Sequence, residues 1–147
     1  MDDKRKRETF WTWKRDIPLY AGSFHLWVGS GPCLRQHLKM SPYFLDDVER
    51  YGHADGSSFG LNPPEHTRYT HPLYVAWLPS WNGSHMAVAH LVHECIHTAM
   101  IKLKDAGVRV ATSDDEALCY LAQWMVQTAL GWLSPKHVLA PLKDVRR

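Results

Sequence analysis

The chain lacks most of the features that place a protein in a class at once. Nowhere in its 147 residues does an uncharged run approach the roughly 20 apolar residues that a membrane span requires, the nearest being "PLYVAWLP". No leader with an apolar central region opens it, and its three cysteines, Cys33, Cys95 and Cys119, are odd in number and far apart. That argues against a disulfide framework and predicts free thiols in a reducing cytoplasm. Charge of one sign is scarce as well. A formal net charge of +2 argues against nucleic acid as a partner, although "KRKRETFWTWKR" near the start and "KDVRR" at the end gather positive charge at the termini. Internal repeats and low-complexity tracts are absent.

What remains is the composition of an ordinary globular protein, 45% hydrophobic and 22% charged, with seven Trp and ten His as its unusual members. The length suits one domain. Residues 1–16 read as a charged arm and residues 17–147 as a single domain. In the first half, "PLYAGSFHLWVGSG" predicts one or two strands closed by the turn "GSGP", and "PLYVAWLPSW" predicts a strand ending at Pro79. "CLRQHLKM" and "PYFLDDVERYG" suit short helices. Between them and the second strand, "HADGSSFGLNPPEHTRYTH" reads as a long connection.

The second half is helical. "NGSHMAVAHLVHECIHTAMIKLKDAG" has a cap at Ser84, lysines in its last turn and Gly107 as a stop. "TSDDEALCYLAQWMVQTALG" begins with a capping box, Ser113 and Glu116, and closes at Gly131. A short helix over "SPKHVLAPL" follows. The fold class expected is α+β, with a small sheet layer in the N-terminal half packed on the two long helices.

Within the first long helix, "HLVHECIHTAM" places three histidines and a glutamate in eight positions. At about 100° per residue, Val88, Leu91, Val92, Cys95, Ile96, Ala99 and Leu103 gather on one side, and His90, His93, Glu94 and His97 on the other. His93 and His97, four apart, project imidazoles one turn apart, the spacing at which two nitrogens bind one tetrahedral zinc. Glu94 stands beside them, placed to take a proton from a metal-bound water.

The letters H-E-x-x-H on such a helix resemble the active-site helix of the zincin metallopeptidases. The resemblance implies zinc held by His93 and His97, with Glu94 as general base. The metzincin continuation is excluded, because Thr98, Ala99 and Met100 follow His97 and position 103 is leucine. The gluzincin pattern instead takes its third ligand from a glutamate on a second helix. Glu116, nineteen residues after His97, matches that position, and "DDEALCYLAQWM" is similar to the glutamate helix of small gluzincin-like proteins, many of them carried by phages and mobile elements. Where that pattern has an aspartate four residues on, this chain has Tyr120, so the support for a ligand histidine comes from Asp114 or Asp115, from a backbone carbonyl, or is absent. Asp115, His90 and Cys119 stay open as alternatives for the third ligand.

The chemistry implied is zinc-assisted hydrolysis of an amide bond in a protein or peptide substrate, with Tyr120, His66, Tyr69 and His71 as candidates to steady the oxyanion. A substrate strand could pair with "PLYVAWL" if that strand lies at the sheet edge. Two other classes remain open. One is a non-catalytic zinc module, closed by His90 or Cys119. The other is a phage or mobile-element protein that inhibits a host factor through its basic aromatic arm.

Overall fold

A computed structural model describes residues 9–43, 48–53, 55–64, 71–110 and 115–133. Among these residues, four strands and three helices follow one another as β1 (Trp11–Asp16), β2 (Ser23–Val28), α1 (Gly31–Met40), β3 (Ser57–Leu61), β4 (Leu73–Leu78), α2 (His85–Asp105) and α3 (Glu116–Leu133), with a 3-10 turn at Val48–Arg50. The fold is α+β, its sheet lying in the N-terminal half. Among the described residues no helix is long and apolar enough to cross a membrane.

The strands are ordered β1-β2-β4-β3. β2 and β4 run parallel, and each edge strand joins its neighbour antiparallel. A parallel pair needs a long crossover, and α1 lies in that connection. Alternation along the strands then sorts the side chains into two cores. Phe24, Leu26, Val28, Tyr74, Ala76 and Leu78 face α2 and α3, meeting Leu91, Cys95, Ala99, Leu103 and Met125. Trp27, Val75, Trp77, Phe59 and Leu61 face the other way, onto Leu34 and Leu38 of α1. Both faces of the central strands are therefore covered, which is why "LYVAWL" is buried at nearly every position.

Several expectations need correcting. Of the arm expected over 1–16, residues 11–16 form the edge strand β1, whose Trp13 stacks on Trp132 of α3 at 6.4 Å between ring centres. The "GSGP" turn is the start of α1, with the Ser30 hydroxyl accepting from the Cys33 amide. The stretch expected as one long connection contains β3: Phe59 and Leu61, two apart, fill the α1 core and hold the strand in place. β3 is thereby the sheet edge and β4 an interior strand, so "PLYVAWL" offers no free edge to a substrate.

The second half follows the expectation more closely. Ser84 caps α2 by accepting from the Ala87 amide, and Gly107, with φ of +73°, turns the chain after it, a conformation that suits a residue without Cβ. α3 begins at Glu116 but passes through Gly131 to Leu133. Nothing lies near Gly131 to require a stop there, and Trp132 and Leu133 pack against the core beyond it. Ser113 and the segment "SPKHVLAPL" lie outside the described residues.

Candidate functional site

α2 is buried on two flanks, by the sheet and by α3, so its polar and apolar residues do not divide into two halves. Leu91, Cys95, Ala99 and Leu103 are buried as expected, but Ile96 is 39% exposed and Glu94 only 8%. A two-sided helix of this kind has a broad buried stripe and a narrow exposed one. His93 and His97 occupy the exposed one.

Their imidazoles converge. Nε2 of His93 and Nε2 of His97 lie 3.1 Å apart, with ring centres 4.5 Å apart at an interplanar angle of 73°. Two nitrogens bound to one tetrahedral zinc at 2.0–2.1 Å would be separated by roughly 3.3 Å. The pair thus has the bite of a shared metal. Without metal the same contact is a hydrogen bond in which one ring donates its Nε2 proton to the other.

Glu94 reaches towards β3 and keeps a small part of its surface open to solvent. The Ser58 hydroxyl lies 2.6 Å from its Oε2 and 2.8 Å from its backbone carbonyl oxygen, and its one proton serves these two acceptors in turn. Gly56 closes over the same carboxylate: a Cβ there would stand 2.9 Å from Oε1 of Glu94. One turn further, the Thr98 hydroxyl donates to the Glu94 carbonyl at 2.7 Å. The carboxylate is therefore held between α2 and the antiparallel edge strand. Neither Ser58 nor Gly56 stands out in the sequence, since the Gly/Ser-rich run around them has the composition of a loop. The signal that was there is the pair Phe59 and Leu61.

The third donor is not brought in. Among the described residues no group of three His, Cys, Asp or Glu side chains is placed to hold a metal. Glu116 is the first residue of α3 and exposed, as are Asp115, Cys119 and Tyr120, the last at 69%. His90 lies on a separate cavity of about 190 Å³ with Asp55 and Asn82. His71 lines another, with Ser23 and His25. Asp114, His66 and Tyr69 lie outside the described residues.

Beside His97 runs a cavity of about 600 Å³, bounded by Met100, Ile101 and Lys104 of α2 and by Val108, Arg109 and Val110 of the α2–α3 connection. A different histidine, His25, sits on the opposite side of the sheet with Nε2 2.9 Å from the Ser23 hydroxyl. Burial, the nearby Lys14 and then His37 push its pKa down to about 4. It is a neutral ring at neutral pH. Behind the motif, the Cys95 thiol is pushed up to about 12, by burial first and by the Glu94 charge second, so it is an inert core group.

Compared with known proteins, the chain matches no family model, no curated protein and no solved structure.

Proposed function

We propose that this protein is a zinc-dependent hydrolase of amide bonds, a gluzincin-like metallopeptidase whose substrate is a protein or peptide. The observation that carries the reading is the 3.1 Å separation of the His93 and His97 Nε2 atoms, one residue from a carboxylate fixed under an edge strand. His93 and His97 would hold the metal, with Glu116 proposed as third donor. Zinc, when bound, lowers the pKa of a water molecule towards 7 and polarises a carbonyl.

The remaining work falls to side chains. Glu94 accepts the proton of the attacking water at its carboxylate and passes it to the leaving amine. Ser58 fixes where that carboxylate points. Tyr120 is proposed to donate to the oxyanion. The position of the edge strand β3 beside Glu94 supports this assignment, since among the described residues it is a strand with a free side that an extended substrate could pair with.

A second reading is favoured by one observation, that no third donor joins the histidine pair among the described residues. In it the same pair is part of a non-catalytic zinc module. One experiment separates the two. Zinc-loaded wild type and Glu94→Gln are incubated with a mixture of unfolded proteins, and new amino termini are identified by mass spectrometry. The hydrolase reading expects cleavage by wild type alone, with equal zinc in both. Zinc retained by both without cleavage supports the module, and wild type that takes up no zinc overturns both.

A further inference from the structure

We infer that the cavity running from His97 to the α2–α3 connection recognises a peptide segment carrying an apolar side chain and, within about three residues of it, a carboxylate. The inference rests on the proposed function only for its meaning as a substrate site; the recognition itself rests on the cavity. Its floor is apolar, made by Met100, Ile101, Val108 and Val110. Met100 and Val110 leave 43% and 40% of their surface to solvent, so a side chain seated there gains by covering both, at about 25 cal/mol per Å². Ile101 also lies against Gly60 of β3, which ties this floor to the strand that holds Glu94.

The charges have one sign. Lys104 and Arg109 line the cavity, and among the described residues no Asp or Glu does. Neither cation forms an ion pair among the described residues, whose salt bridges all involve Glu49. Asp105, next in sequence to Lys104, is engaged elsewhere: its Oδ2 accepts from the Tyr74 hydroxyl at 3.0 Å, and its charge acts on Lys102. Two cations that no described carboxylate pairs with, over an apolar floor, are complementary to a ligand with an apolar body and a negative end. The volume, about 600 Å³, is that of an ordinary small-ligand site.

The spacing sets the register. Lys104 follows His97 by seven residues, about 10 Å along a helix rising 1.5 Å per residue. An extended peptide covers that distance in about three residues. A carboxylate held by Lys104 and Arg109 is therefore that far from a bond lying over His97. It can be an Asp or Glu side chain or the end of the peptide.

The test is a titration followed by the methyl resonances of Met100, Ile101, Val108 and Val110, run on metal-free and on zinc-loaded full-length protein. The probes are acetyl-Leu-Ala-Asp-amide, acetyl-Leu-Ala with a free carboxyl terminus, and acetyl-Leu-Ala-Asn-amide. The first or second should shift these methyls and bind about tenfold tighter than the third, the product of two exposed charge pairs. Whichever of the two is tighter identifies the source of the carboxylate. The double variant Lys104→Glu, Arg109→Glu should lose that preference and keep its zinc uptake. Equal binding of all three, no shift at these methyls, or an unchanged preference in the double variant overturns the inference. Binding here by a protein that takes up no zinc leaves it standing and removes the hydrolase reading; cleavage of proteins without a preference for acidic or terminal sites does the reverse.

Discussion

The Ser58 hydroxyl lies 2.6 Å from Oε2 of Glu94, joining an edge strand to a helix residue 36 positions later in the chain. Glu94 is nearly buried, so the direction of its carboxylate depends on this strand. Ser58→Ala removes the donor and leaves a buried carboxylate short of a partner. Urea unfolding is expected to show a loss of about 1–3 kcal/mol, and hydrolysis, where measured, should fall while zinc content does not.

Metal uptake distinguishes the donors. His93→Ala and His97→Ala should each abolish zinc binding measured by elemental analysis, because either change leaves at most one imidazole at the site. Glu116→Ala should lower zinc affinity, whereas His90→Ala, Asp115→Ala and Cys119→Ala should leave it unchanged. Zinc should also raise the thermal midpoint of wild type, since a ligand that binds only the folded state stabilises it. A midpoint that rises equally in His93→Ala would place the metal elsewhere.

The cysteines should separate by accessibility. Cys119 is exposed and Cys95 is fully buried with its thiol pushed up to about 12. At pH 8 a thiol-specific reagent should label Cys119 in the native protein and reach Cys95 only on unfolding. Mass-mapped labelling over time reads this directly, and fast modification of Cys95 would contradict the packing of α2.

The buried His25 predicts an acid-side loss of stability. The folded state keeps the ring neutral down to about pH 4, whereas the unfolded chain protonates it near 6.5. Between those values the unfolded state binds the extra proton, so the full stability is present above about pH 6.5 and falls as pH is lowered, the contribution ending near 4. The fall amounts to at most about 3–4 kcal/mol at roughly 1.4 kcal/mol per pH unit. His37 is displaced in the same direction by burial. In His25→Gln the denaturation midpoint should be flatter over this range, and an identical pH profile in variant and wild type would count against the burial.

The helices were legible before the sheet. Ser84, the spacing of Leu91, Cys95, Ala99 and Leu103, and Gly107 together define α2, because capping and helical periodicity are local. β4 was legible for the same reason, its apolar run being dense. β3 was not: three of its five residues are Ser or Gly, poor strand formers whose place is set by Phe59 and Leu61 packing on α1. The burial of Glu94 was missed with it, since a helix wheel assumes one neighbour and α2 has two.

His93 and His97 form a pair because they are four apart on a helix, and no tertiary contact is needed to bring their nitrogens to 3.1 Å. That much is a property of the local sequence. The partner of Glu94, the edge that β3 rather than β4 presents, and the cationic cavity beyond His97 depend on segments distant in the chain. Such contacts form only when burial of two cores, one on each face of the sheet, aligns the strands, and no spacing within a single segment encodes them.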